Sequence, residues 1–208
     1  MNYSELKSNI ADFLNRSDLT AVIPTFIQLA EGRLNRQLRT VDQYTRATLS
    51  STDQFLSMPD DFLEMTHLRT TSPIERELHE IAAHQINEVN DPVFIASLDD
   101  ANPQYYTYHQ VLRVYPAPEA GTTIDYEMFY YAKLASLSDS NTTNWLSTAY
   151  PDAYLYYSLM QSAPYLGEDE RMQVWGSLAD RAVQEIQGAD NRRKSYGSRK
   201  RLNFEAFS

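Results

Sequence analysis

The residues that could do chemistry are few, and their spacing works against most of it. Histidines stand at positions 67, 79, 84 and 109. His79 and His84 frame a His-Glu-Ile-Ala-Ala-His run that looks at first like a zinc helix, in which two imidazoles one turn apart share a face. The step here is five residues rather than four, which turns the second ring about 140° away from the first on a helix. Both therefore read as surface histidines. Asp60-Asp61 and Asp99-Asp100 are paired acids, but neighbours on an extended chain point to opposite faces, which assigns them to turns and caps rather than to acid–base work. The six glycines form no phosphate-cradling loop, and no serine sits in a nucleophile elbow. The absence of cysteine removes disulfides, thiolate ligands and thiol nucleophiles together. The expectation is a protein with no catalytic residue, no metal site and no cofactor.

What remains is the chemistry of surfaces. The formal charge of −10 is unevenly placed: residues 192–208 hold six of the 18 basic residues and one of the 28 acidic ones, leaving twelve bases against twenty-seven acids before them. An acidic body repels phosphate backbones, so the fifteen tyrosines read as core and protein-interface residues rather than as platforms for bases. The basic tail attracts an acidic partner, and Phe204 and Phe207 add the apolar anchors of a segment that orders on binding. Its candidate contact residues are Arg192, Arg193, Lys194, Tyr196, Arg199, Lys200, Arg201, Phe204 and Phe207. A long aperiodic stretch, residues 90–103, carries Phe94, Ile95 and Leu98; with Tyr105 and Tyr106 it forms a second candidate interface.

Hydrophobic periodicity supplies the elements that must position these surfaces. A helix is expected over 4–15, with Leu6, Ile10, Phe13 and Leu14 on one face, and a second over 24–38, opened by Pro24. The period then changes from 3.6 to 2 for about ninety residues. Tyr44–Leu49 and Ile124–Tyr131 read as outer strands, with shorter strands at 55–58, 63–69, 105–108 and 111–115 and one helix over 77–89. Phe55–Met58 is expected to pair back, and His109-Gln110 to turn a hairpin. A central helix starts at Pro151, with Leu155, Leu159, Ser162, Ala163 and Leu166 as its stripe and Trp145-Leu146 as an apolar anchor before it. Pro164 predicts a kink or an early end. A last helix places Met172, Trp175, Ala179, Ala182 and Ile186 on one line and fades near Asp190, beyond which the tail is expected to be disordered when free. The fold class is α+β: a four-helix bundle-like domain (1–40 and 141–191) split by an inserted β-rich module (41–140), with a basic extension (192–208). Trp145, Leu146, Leu155, Leu159 and Trp175 are its expected core anchors. No long apolar run exists to cross a membrane, and the first residues lack the features of a secretory signal.

Several fragments, in order, resemble one family. They are Ile23-Pro24-Thr25-Phe26-Ile27-Gln28-Leu29-Ala30-Glu31, Arg33-Leu34-Asn35-Arg36, Met58-Pro59-Asp60-Asp61-Phe62-Leu63-Glu64, Tyr115-Pro116-Ala117-Pro118, and Asn144-Trp145-Leu146 followed by Pro151-Asp152-Ala153-Tyr154-Leu155-Tyr156. Together they resemble the head-to-tail adaptor proteins of short-tailed phages and prophages, over most of the chain up to about Arg192. The resemblance implies a structural, non-enzymatic protein of the virion's head–tail interface, made in the host cytoplasm. It also implies a ring, dodecameric when assembled, beneath the portal protein. The tail would then bind the portal, the 90–103 stretch would face the tubular tail nozzle, and DNA would pass through the channel without sequence-specific binding. Two other classes remain open at this stage: a tail-associated hydrolase acting through dispersed carboxylates, and a nucleic-acid-binding module acting through the basic tail.

Overall fold

Asn2 begins the chain's first helix by a reciprocal cap: its side chain accepts the Glu5 amide at 2.9 Å, and the Glu5 carboxylate accepts the Asn2 amide at 2.9 Å. A computed structural model of the protein describes residues 1–81, 104–108, 111–115, 117–167 and 169–196. Within them the chain divides into two compact units, one of Met1–Gln43 with the chain from Lys133, the other of Tyr44–Ala132.

The first unit is helical. Helix α1 (Tyr3–Leu14) ends at Asn15, whose φ of 52° places it in the left-handed region that asparagine tolerates. Helix α2 (Ile23–Gln37) carries Pro24 in its first turn, where the missing N–H has no intrahelical partner to lose. After a 3-10 turn at Val41–Gln43, the unit resumes with α3 (Trp145–Ala149), α4 (Pro151–Leu166) and α5 (Asp169–Tyr196). That makes five helices among the described residues rather than four. The added one is short and is started by Asn144, which exchanges capping bonds with Ser147.

Three expectations change here. The buried face of α4 is led by Tyr154 and Tyr157, both fully buried, while Leu155 is only half-buried. The apolar stripe left the tyrosines out because hydropathy cannot see that their hydroxyls find partners inside. Pro164 does not stop α4, which continues to Leu166 and closes at Gly167 (φ 69°); in the last turn a proline forfeits a single bond. Helix α5 does not fade at Asp190 but runs to Tyr196, so the first five residues of the expected disordered tail are helical.

The second unit is built of two four-stranded sheets, all but one of whose strand pairs are antiparallel. One sheet has the order β1-β8-β3-β4 and the other β2-β7-β6-β5, from β1 (Tyr44–Ser51), β2 (Phe55–Ser57), β3 (Phe62–Ser72), β4 (Arg76–Glu77), β5 (His79–Glu80), β6 (Gln104–Tyr108), β7 (Val111–Tyr115) and β8 (Ile124–Ala132). Among the described residues only β5 and β6 run parallel. Alternation places Tyr126, Met128 and Tyr130 of β8 in the core with Leu56, Leu68, Leu112 and Val114. Strand β2 pairs with β7 rather than folding back on β1. The helix expected over 77–89 is contradicted at its start: Arg76–Glu77 and His79–Glu80 are strand, with the Leu78 amide donating to the Leu68 carbonyl at 2.9 Å and the Ile81 amide to the Tyr105 carbonyl at 2.8 Å. Leu78 and Ile81 are both buried three residues apart, a spacing that suits a helix as well. The rest of that expected helix, the stretch 90–103 and the His109-Gln110 turn lie outside the described residues. Among the described residues no helix is long and apolar enough to cross a membrane.

Candidate functional site

Two carboxylates buried in the helical unit, Glu31 and Asp190, act as fasteners for its own connecting segments. Glu31 and Asn35 sit one turn apart on α2 and therefore share a face. The chain returning from β8 is bound to that face, with the Leu137 amide donating to the Glu31 carboxylate at 2.7 Å and the Leu134 amide to the Asn35 side chain at 2.8 Å. Leu134 and Leu137 are themselves buried. The Tyr154 hydroxyl from α4 lies 3.2 Å from the same Glu31 oxygen, and the Asn144 side-chain amide donates to that hydroxyl at 2.6 Å and bonds the Ala135 carbonyl at 2.8 Å. Burial pushes the Glu31 carboxyl above its ordinary value, against the bonds that favour its charged form. Burial, and then the Glu31 charge, push the Tyr154 phenol far up. Glu31, Asn144 and Tyr154 come from three separate fragments of the motif pattern. No periodic or spacing signal in the sequence pairs them.

A second polar group holds the last described turns of α5 to the chain after α2. The Asp190 carboxylate, nearly buried, accepts the Val41 amide at 2.7 Å and pairs with Lys194 at 2.6 Å. Lys194 also donates to the Arg39 carbonyl at 3.0 Å, Arg193 pairs with Asp42 at 2.6 Å, and Gln187 reaches the Gln37 carbonyl at 3.3 Å. The exposed carbonyls at the end of α2 thereby gain donors from α5. Beyond Asp190 α5 is held by ion pairs, for which an apolar period gives no sign.

In the β unit, Glu127 is nearly buried in an otherwise solvent-facing row of its sheet. It receives Arg46 at 2.9 Å and the Arg69 Nε at 2.7 Å, and Arg69 also contacts Glu75. The Arg69 bond, followed by the charges of Arg69 and Arg46, holds the Glu127 carboxyl below its ordinary value. His67 pairs with Glu77 at 3.1 Å.

The candidate residues fall into separate places. Arg193 and Lys194 are engaged within the helical unit, Arg192 is exposed, and Tyr196 ends α5. Arg199, Lys200, Arg201, Phe204 and Phe207 lie outside the described residues, as do Phe94, Ile95 and Leu98. Tyr105, read as an interface residue, is instead a core residue of the β unit, 8% exposed, and burial pushes its phenol up to about 12. Its alternating strand position was legible, but which face turned inward was not. Tyr106 lies opposite Arg113 in the β6–β7 pairing. Leu146, Leu159 and Trp175 are buried in the helical core, whereas Trp145 and Leu155 are half-buried against it. Among the described residues no cluster of His, Asp or Glu could hold a metal.

Buried carboxylates committed to backbone amides, a tyrosine and arginines are the equipment of a scaffold, a protein whose polar groups hold segments in place. The chain matches the SU10 adaptor protein family over residues 1–202 and belongs to it. The family is one of phage structural adaptors, with a place between portal and tail at the head–tail interface of the virion. No curated protein matches the chain.

Proposed function

We propose that this chain joins head to tail by forming a ring, dodecameric when assembled, beneath the portal protein, where it extends the DNA channel and offers the platform for the tail. The observation that carries this reading is family membership over residues 1–202. In it the helical unit docks on the portal, the chain after Tyr196 lies along the portal surface, and the β unit faces the tubular tail nozzle. Two features support the roles. Arg193 and Lys194 are engaged within the helical unit, so in this reading Arg199, Lys200, Arg201, Phe204 and Phe207 carry the contact with the partner. The acidic balance of residues 1–191 suits a conduit through which DNA slides, since a basic lining would retain it. Negative-stain images of the protein mixed with portal rings test the proposal. Rings stacked on portals are expected; portals left bare at saturating protein would overturn it. Duplex DNA retained by the purified protein at physiological salt would overturn the passive-channel part alone.

A further inference from the structure

Strand β1 is an edge strand of its sheet among the described residues. It pairs with β8 in unbroken register over all eight residues, from Tyr44 opposite Tyr131 to Ser51 opposite Ile124. Among the described residues, nothing is bonded to its other side. Among the described residues, alternate N–H and C=O groups along Tyr44–Ser50 therefore have no strand partner. Proteins defend such edges by shortness, bulges, proline or inward charge. The remaining edge strands here are short, β2 having three residues and β4 and β5 two each, and β3 shifts register three times along β8. Strand β1 has no such defence: no proline, no bulge, and a single charge, Arg46, on the outer face.

We infer that the open edge of β1 takes up an extended segment of a partner protein in which apolar and polar residues alternate and an acid stands opposite Arg46. The main-chain groups would supply the attraction, and the two faces of β1 set the pattern. On the inner face Ala47 and Leu49 are half-buried at the margin of the β core, so an added strand needs apolar residues beside them. On the outer face the Arg46 side chain is 66% exposed and spends one N–H on Glu127, leaving the rest of its fork of donors for a carboxylate. Tyr44 is 45% exposed and packs on Phe129 and Tyr131 with ring centres 6.2 and 5.7 Å away, an aromatic shelf beside the edge. A second copy fits less well. Its own β1 brings another Arg46 and no acid, and its other described edges are short or bulged.

The inference rests on the sheet and not on ring formation, so the free full-length protein is enough to test it. The probes are two acetylated, amidated peptides, Thr-Val-Glu-Val-Thr-Val-Ser and its counterpart with Lys in place of Glu, and the readout is residue-resolved amide exchange. Alternate amides of β1 are expected to slow on addition of peptide, with the Glu peptide favoured by up to about fivefold, the ratio that one cross-strand ion pair supplies. Arg46→Gln should abolish that preference while the protection persists. No slowing of β1 amides at millimolar peptide would overturn the inference. So would slowing that grows with protein concentration in the absence of peptide, which would make a second copy the occupant.

Discussion

The hydroxyl of Tyr154 and the carboxylate of Glu31 meet at 3.2 Å inside the helical unit, joining α4 to the face of α2 that also holds the chain returning from β8. Because burial raises the Glu31 pKa in the fold, the folded state holds its proton to higher pH than the unfolded chain does. The sign follows: the contribution of Glu31 is most favourable at acid pH, and stability is lost as pH rises above the ordinary 4.5 and through the raised folded value. Glu31→Gln cannot ionise and should lack that decline, so the stability of the variant relative to the parent grows with pH. Urea unfolding followed by tryptophan fluorescence reads this unit alone, since Trp145 and Trp175 both belong to it. A parent–variant difference that stays constant from pH 4 to 8 would count against the raised pKa.

Leu146 and Trp145 are adjacent, and the smaller side chain should matter more. Leu146 is fully buried in the helical core, so Leu146→Ala should cost about 2–5 kcal/mol in transfer and cavity terms. Trp145 is half-buried, with its ring edge-on to Tyr150 at 6.5 Å. Trp145→Ala should cost less than the roughly 3–5 kcal/mol of a fully buried aromatic. Thermal unfolding of both variants by far-UV circular dichroism checks the order; a larger loss for Trp145→Ala would reverse it.

What the sequence made legible was periodic. The helices from Tyr3, Ile23 and Pro151, and strands β1 and β8, stand where the apolar spacing put them, because burial of one face is a sequence-wide pattern. What it hid was carried by single polar contacts or by ambiguous spacing. The inward turn of Tyr154 depends on Glu31 more than a hundred residues away, and the extension of α5 past Asp190 depends on Asp42. Leu78 and Ile81 fit helix and strand equally until their amides are seen pairing with Leu68 and Tyr105. The candidate interfaces were legible only as composition, since charge and aromatic content mark a surface without saying what it touches.

Glu127 should show the opposite pH dependence to Glu31. Arg69 and Arg46 lower its pKa in the fold, so its contribution is present above the ordinary 4.5 and is lost as pH falls through the depressed folded value. Glu127→Gln should remove that acid-side loss from the β unit and leave the tryptophan-reported unit unchanged. Amide exchange at Tyr126 and Met128, both in the β core, follows the relevant unit. Equal acid sensitivity in parent and variant would show that the arginines do not act through this carboxylate.

The end of α5 makes the site of truncation decisive. Cutting after Asn191 removes Arg193 and Lys194, leaving the Asp190 and Asp42 carboxylates without their cations and the Arg39 carbonyl without its donor. Asp190 is nearly buried, so loss of its charged partner should destabilise the helical unit by about 1–3 kcal/mol, the range for hydrogen bonds to charged groups and their unmet desolvation. Cutting after Tyr196 keeps all these contacts and removes only Arg199, Lys200, Arg201, Phe204 and Phe207 of the candidate portal-binding residues. The shorter chain should therefore lose both stability and portal assembly, whereas the longer one should match the parent in urea unfolding and still fail to stack on portal rings. The comparison separates a folding role from a docking role at residues 192–208. Normal stacking by the chain ending at Tyr196 would remove the docking role, and parental stability of the chain ending at Asn191 would show that the Asp190–Lys194 contact holds nothing in place.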